Sequence, residues 1–242
     1  MNDSGFNVNS RIFRVLWVPD NGNAVYVGTA FTFRRSDLAL TAMHVIRNLK
    51  GQLYLADYLN TQTVYPVQDI QPHPNGDVAA LCIAGDTSNL LHFDLGEPLP
   101  GFKDGALGED VGAFGFPVVS NRDHTVAPGQ PGVRLMKGHI QRPFDYTTPN
   151  GIYRYVAFEL SFLSFPGLSG APVFRETQKN EAIAVVTEDF SITRTAVLDD
   201  GQTTRFSELK PAFLDKQPVK YRDTLWTIGL SLLSIREWLE AL

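Results

Sequence analysis

Apolar and polar residues alternate along most of the chain with a period of two, the pattern of half-buried strands. Arg11-Ile12-Phe13-Arg14-Val15-Leu16-Trp17-Val18 alternates, Asp20-Asn21-Gly22-Asn23 supplies turn chemistry, and Ala24 to Phe33 alternates again. That arrangement predicts a β-hairpin. Further β-branched or aromatic runs stand at Gln52 to Tyr58, Thr63 to Ile70, Val78 to Ile83, Val111 to Phe116, Val133 to Gln141, Ile152 to Phe162, Ala182 to Thr187 and Leu225 to Leu230. Gly, Pro, Asn and Asp clusters separate them. Thr193 to Leu198 and Thr203 to Ser207 flank Asp199-Asp200-Gly201, which reads as a second hairpin turn rather than a calcium loop, because the ring of further oxygens is missing. No strand–helix–strand alternation and no fixed repeat is visible, so the pattern predicts an all-β barrel or sandwich.

Helical spacing is confined to the end of the chain. Ser234-Ile235-Arg236-Glu237 reads as a capping box with Leu233 placed to staple onto Trp238, and Ile235, Trp238, Leu239 and Leu242 form one apolar stripe. A terminal stripe of this kind is expected to dock on the body of its own chain. The Gly- and Pro-rich stretch from Gly96 through Gly105 divides the strands into two similar sets and reads as a linker. The expected organisation is therefore a β-domain over residues 1–100, a second over 101–230 and a closing helix over 231–242.

Composition narrows the classes. The chain has 242 residues, of which 43% are hydrophobic and 19% charged, enough to bury a sizeable core without a covalent staple. A net charge of −5 with no basic run gives nothing to neutralise a row of phosphates, so neither nucleic acid nor an anionic membrane is an expected partner. Cys82 is the single cysteine, which excludes an internal disulfide and every multi-cysteine zinc pattern; it is expected to be a buried packing thiol. No apolar run approaches the length of a membrane span, and Met1-Asn2-Asp3-Ser4-Gly5 lacks the parts of a signal peptide, so a soluble, cytoplasmic protein is expected.

Three short motifs carry candidate chemistry. Leu38 to Val45 reads as an apolar strand ending in a small residue and His44, which sets an imidazole at a barrel rim, where a general base could work. Asn75-Gly76-Asp77 puts a carboxylate directly before a hydrophobic strand, where it can hold a histidine tautomer. Pro166-Gly167-Leu168-Ser169-Gly170-Ala171-Pro172 mounts a serine in a tight glycine-flanked turn whose backbone N–H groups can converge on one point. Each has an ordinary reading alone: a packing histidine, a turn aspartate, a loop serine. His73, His92, His124 and His139 lack the paired spacing of metal ligands and read as loop or strand histidines.

Taken together, in the order His44, Asp77, Ser169, the motifs resemble those of the trypsin-like, chymotrypsin-fold serine peptidases, especially the disulfide-free bacterial branch. There, TA-x-H carries the base, D-[IV]-A-L the orienting acid and G-x-S-G-x-P the nucleophile. Gly28-Thr29-Ala30-Phe31 is similar to that family's G-[ST]-G-F strand with Ala30 for a glycine, and Val111 to Pro117 resembles the strand that opens its second barrel. Leu168 departs from the digestive enzymes, which carry an Asp there, and Ala171 stands where many members have Gly.

The resemblance implies two six-stranded antiparallel β-barrels with a C-terminal α-helix, and a serine endopeptidase acting through an acyl-enzyme. His44, Asp77 and Ser169 are then the catalytic residues. Gly167 and Ser169 supply oxyanion-binding N–H groups, with Leu168 setting their geometry. Leu163, Val186, Thr187 and Glu188 are expected around the pocket for the residue preceding the scissile bond. Leu163 stands where basic-specific relatives carry a carboxylate, which implies cleavage after small or apolar residues, with Glu188 as the complication. A protein or peptide substrate is implied, a regulatory protein partner is a further candidate, and neither a metal nor an organic cofactor is needed. Two other classes compete with this reading. An α/β-hydrolase needs G-x-S-x-G and Asp and His after the serine, which the order here opposes. A catalytically silent binding module on the same fold is the stronger rival.

Overall fold

A computed structural model of the chain describes residues 11–20, 22–57, 63–97, 107–117, 132–148, 151–162, 165–188, 195–197, 203–205, 220–222 and 227–242. Six strands of the N-terminal half are β1 (Ile12–Val18), β2 (Val25–Phe33), β3 (Arg35–Thr41), β4 (Gln52–Asp57), β5 (Val64–Pro72) and β6 (Ala79–Ile83). They close into an antiparallel barrel in the order β1-β2-β3-β6-β5-β4. After β7 (Asp94–Leu95) come β8 (Asp110–Gly115), β9 (Arg134–Thr147), β10 (Arg154–Leu160), β11 (Pro172–Arg175) and β12 (Glu181–Glu188). Short strands β13 (Thr195–Val197), β14 (Thr203–Arg205) and β15 (Lys220–Arg222) form a separate three-stranded sheet, and β16 (Thr227–Ser231) returns to the second barrel. That barrel runs β11-β8-β9-β10-β16-β12 and closes through the β11–β12 pairing, while β7 adds to β12 in parallel.

Alternation lets one strand serve two cores. In β1, Phe13 and Val15 point into the first barrel with Ala39, Leu55 and Leu81, whereas Ile12 belongs to a core between the barrels. The same holds in β11, where Val173 faces the second barrel's interior with Val111, Phe158 and Leu160, and Phe174 faces the inter-barrel core. That shared core joins Phe31, Phe33, Leu40 and Phe93 to Phe116, Phe174, Val185 and Leu230. Strands buried on both faces read as unbroken apolar runs, as in Leu38 to Leu40. Each large side chain so buried contributes roughly 1.5–3 kcal/mol.

Several expectations need correction. His44 does not end a strand: β3 stops at Thr41 and Met43–Ile46 is one helical turn, α1. Its backbone N–H donates to the Asp77 carboxylate instead of to a strand neighbour, which bends the chain out of the sheet. The capping box at Ser234 does not form. β16 runs straight into a 3₁₀ turn, Leu232–Ile235, in which Ser234 Oγ donates to the Ser231 carbonyl, and the α-helix, α2 (Arg236–Glu240), has Ile235 at its N-cap. The apolar stripe does dock on the shared core, with Ile235 and Leu239 buried and Trp238 and Leu242 half-buried. Cys82 is half-buried rather than buried, and that burial pushes its thiol up from the usual range. β9 continues past the expected end to Thr147. The expected linker lies largely outside the described residues, as do His124 and the Asp199-Asp200-Gly201 turn, although β13 and β14 on either side of that turn pair antiparallel. Among the described residues no helix is long and apolar enough to cross a membrane.

Candidate active site

Asp77 is built into a loop that leaves little freedom. Between β5 and β6, the His73 N–H donates to the Val78 carbonyl at 2.9 Å, and the Asn75 N–H donates to His73 Nδ1 at 3.1 Å. The Asn75 carbonyl accepts the Arg154 N–H of β10 at 3.0 Å, which ties the loop to the second barrel. Asp77 is consequently buried, with both carboxylate oxygens turned to the same residue: Oδ1 accepts the His44 backbone N–H at 2.8 Å and Oδ2 lies 2.6 Å from His44 Nδ1. The His44 side chain is 41% exposed against 3% for Asp77, so the imidazole bridges a buried anion and the surface. Tyr153 packs nearby. Burial, and after it the Asp77 carboxylate, raises its phenol above the usual range, opposed by a hydrogen-bonding Arg47.

The serine turn is seated on the first barrel through its backbone. The Ser169 carbonyl accepts the Thr29 N–H of β2 at 2.9 Å. Gly170, at φ +88°, lies so close that a Cβ there would sit 2.0 Å from the Thr29 carbonyl oxygen, 2.4 Å from Thr41 Oγ1 and 3.1 Å from the Ala42 nitrogen. Ser169 is thereby held beside the residues that lead into His44. On its other flank, the Gly170 N–H donates to the Val186 carbonyl at 2.7 Å and the Val186 N–H to Ala171 at 2.9 Å. The Ser169 hydroxyl is buried and makes no hydrogen bond among the described residues. The Leu168 N–H is used by the Phe165 carbonyl, but those of Gly167 and Ser169 meet no acceptor among the described residues.

His44 and Asp77 are thus joined directly, and the serine turn of the other barrel is seated through Gly170 on Thr29 and on Thr41 and Ala42, the segment that leads into His44. Val186 and Thr187 lie behind the turn, fully buried, with Thr187 Oγ1 2.9 Å from the Tyr155 hydroxyl. Leu163 lies outside the described residues, and Glu188 is placed by its backbone alone, opposite Ile228. His139 engages Ser161, and His73 meets the Trp238 ring edge-on at 5.1 Å. Among the described residues no group of His, Cys, Asp and Glu is arranged to hold a metal ion. Sequence reasoning missed Tyr26, whose hydroxyl reaches the Gly167 carbonyl at 2.7 Å, and Tyr153; it noted Thr29 only as a motif position.

Comparison with known proteins agrees with this architecture. The protease Rv3671c from M. tuberculosis, in its active form, is similar over 96% of this chain and 80% of its own, at 15% identity and a TM-score of 0.62. The MamO protease domain from Magnetospirillum magneticum is similar over 98% and 97%, at 13% identity and a TM-score of 0.61. The HtrA-type protease AlgW, solved with a decapeptide, is similar over 96% of this chain and 62% of its own, at 15% identity and a TM-score of 0.60. At these identities the likeness is one of fold. Among curated proteins no sequence matches significantly. The family model of the trypsin-like peptidase domain, however, matches residues 28–185, from β2 to β12 and more than half of the sequence, and the chain belongs to that family.

Proposed function

We propose that the protein is a serine endopeptidase, hydrolysing peptide bonds of protein or peptide substrates through His44, Asp77 and Ser169. The observation that carries this reading is the double grip of the buried Asp77 on His44. With Nδ1–H donated to the carboxylate, Nε2 is left as the basic nitrogen, the tautomer that a general base requires. Ser169 Oγ attacks the substrate carbonyl while His44 Nε2 takes its proton. The C–N bond then breaks as His44 protonates the departing amine, leaving an acyl ester on Ser169. Water, deprotonated by the same imidazole, hydrolyses the ester and restores the serine.

Charge on the carbonyl oxygen is met by the N–H groups of Gly167 and Ser169, which are without acceptors among the described residues. The Ser169 hydroxyl has no hydrogen-bond partner among the described residues, so in this mechanism its contact with His44 Nε2 forms as substrate binds. No step calls for a metal or an organic cofactor. The AlgW structures contain a decapeptide or a tripeptide, which supports peptide as the substrate class. The same reading assigns the base and acid to a unit over 1–100, the nucleophile to 101–230 and a closing helix to 231–242. It assigns Leu163, Val186, Thr187 and Glu188 to the substrate side, Val186 and Thr187 as the buried wall behind the serine turn, with small or apolar residues favoured before the scissile bond. Leu168 is fully buried among Ala113, Phe158 and Val173, so no ammonium can pair there, and activation needs no freed N-terminus. A regulatory protein partner is the alternative source of control.

A fluorophosphonate probe tests the reading. Covalent capture of the intact chain, mapped to Ser169 by mass spectrometry, is the expected outcome. Refusal of the probe by folded protein would favour the binding-module alternative, for which the missing hydrogen bond from the Ser169 hydroxyl is the supporting observation.

A further inference from the structure

We propose that Thr29 and Tyr26, two hydroxyl-bearing residues of the first barrel, are positioning residues that lock the serine turn of the second barrel and so aim the N–H groups of Gly167 and Ser169. This inference rests on the peptidase reading of the site, and adds the device that sets the anion-binding geometry in a chain whose Leu168 has no charge with which to anchor the turn.

The geometry centres on Thr29. Its backbone N–H donates to the Ser169 carbonyl at 2.9 Å, and its Oγ1 donates to the Gly167 carbonyl at 2.8 Å. One residue therefore holds the carbonyls on both sides of Leu168. The direction of the Thr29 hydroxyl proton is itself fixed, because Oγ1 accepts the Phe116 N–H at 3.3 Å and has its proton free for Gly167. The Tyr26 hydroxyl lies 2.7 Å from the Gly167 carbonyl oxygen and 2.6 Å from that of Phe116. Two hydroxyl protons thus serve two carbonyls; Thr29 is completely buried, so water cannot replace its hydroxyl without entering the interior, while Tyr26 is half-buried.

This anchoring matters because the turn has conformational freedom to lose. Gly167 sits at φ +92°, where glycine pays no steric penalty but also has alternatives on either side of the map. Pinning its carbonyl fixes the plane of the peptide that follows, and with φ set at +92° this restricts the orientation of the preceding peptide, which carries the Gly167 N–H. The Ser169 N–H belongs to the peptide whose carbonyl, that of Leu168, accepts the Ala171 N–H at 2.9 Å. Packing closes the remaining directions. A Cβ at Gly167 would lie 2.7 Å from the Phe116 carbonyl oxygen and 3.0 Å from the Tyr26 ring, and one at Gly115 would lie 2.9 Å from both Thr29 Oγ1 and Leu168 Cδ1. An oxyanion site delivers its rate only when its donors are aimed before charge develops, so loss of the anchor should appear in the chemical step and leave encounter with the reagent intact.

The test uses Thr29→Val, which keeps the backbone N–H and approximate shape, Thr29→Ser, which restores the hydroxyl, and Tyr26→Phe. Each is read by the rate of fluorophosphonate labelling, resolved into a saturation constant and a maximal rate. Thr29→Val is expected to lower the maximal rate by roughly 10–100-fold with the saturation constant within about threefold, Tyr26→Phe by about tenfold, and Thr29→Ser to return to within about threefold of wild type. A folded Thr29→Val protein that labels within twofold of wild type overturns the inference, as does a loss that Thr29→Ser fails to rescue. If Thr29→Val does not fold, Tyr26→Phe carries the same test, and its labelling within twofold of wild type overturns the inference. A wild-type chain that refuses the probe sinks the peptidase reading instead. The anchor is then decided by amide NMR: the Gly167 and Ser169 resonances are expected to shift or broaden in Thr29→Val or Tyr26→Phe, and unchanged resonances overturn it.

Discussion

The two barrels contribute to the site in different ways. The first presents a finished unit: Asp77, His44 and the loop from His73 to Val78 are tied to one another and to Met43 by side-chain and backbone hydrogen bonds of 2.6–3.3 Å, with a single backbone bond from Arg154 reaching Asn75 from the second barrel. The second presents a turn whose side chains do almost none of the holding. Ser169 makes no side-chain hydrogen bond among the described residues, Leu168 is anchored by apolar packing, and the turn is located by its carbonyls and by glycines that admit close approach. An acid–base pair has to keep one tautomer, which demands directional bonds, whereas a nucleophile has to keep a position and an open hydroxyl, which demands a fixed backbone. In the proposed peptidase, dividing these needs between two barrels makes the inter-barrel contacts part of the chemistry.

The sharpest way to break this division is to delete each half in turn. Ser169→Ala and His44→Ala are each expected to lower turnover by roughly a million-fold while the protein stays folded, because nucleophile and base act as one unit. Peptidase assays with circular dichroism on the purified variants check it. Activity within tenfold of wild type in Ser169→Ala contradicts the assignment.

Asp77→Asn probes the finished unit alone and should cost less, roughly ten-thousand-fold, since the amide can keep the contact but favours the wrong tautomer. The pair also dictates the pH dependence. Only neutral imidazole accepts the Ser169 proton, so probe labelling is expected to rise from about pH 5 to about pH 8. A labelling rate that is flat over this span would separate Ser169 from His44.

The difference between the halves also decided what could be read from sequence. Alternation exposed nearly every strand of the first barrel, because β1 to β6 are regular and paired along most of their lengths. It failed at β9, where Pro143 looks like a breaker. The partners on β8 end at His139, and beyond it one edge of β9 carries no strand among the described residues, so a residue without an N–H costs no ladder bond there. It failed again at His44, since the α1 turn arises from a tertiary contact with Asp77, 33 positions away. The helix start was misjudged for a related reason: β16 feeds directly into the 3₁₀ turn, and Ser234 spends its hydroxyl on Ser231. The candidate triad stood out because its residue types sit in short motifs. Tyr26 did not, because a hydroxyl that works across an interface leaves no local spacing; Thr29 was visible only through its motif.

Gly170→Ala targets the seam itself. The added methyl group meets the Thr29 carbonyl and forces an L-residue into φ +88°, so a loss of roughly 2–3 kcal/mol is expected, with a melting temperature lower by roughly 5–10 °C. Probe labelling should fall further than the stability loss explains, because the displaced atoms adjoin Ser169. Thermal melts beside labelling rates check this. An unchanged melting temperature would mean that the barrels are not held at this point.

The smallest expected effect concerns the seam on the acid's side. His73 closes the loop that carries Asp77: its N–H bonds Val78, its Nδ1 accepts from Asn75, and its ring meets Trp238 of the closing helix edge-on. Burial lowers its pKa from the usual histidine value. The sign follows directly. In the unfolded chain the imidazole takes up a proton as pH falls through about 6.5, while in the folded protein it resists until lower pH, so the unfolded state binds more protons in between. The stability tied to neutral His73 is therefore present above that value and drains away as pH falls toward the lowered one. Protonation of Nδ1 also removes the acceptor for Asn75, so the loop under Asp77 loosens as the charge appears. Urea unfolding at about pH 8 and pH 5.5 reads the effect. It is best made in a His44→Ala background, which removes the titration of His44 and leaves the remaining histidines common to both samples. The protein with His73 is expected to lose more stability over that interval than the one carrying His73→Gln. Equal losses would show that the loop is held by its backbone bonds alone, and that the second barrel's helix does not reach the acid through His73.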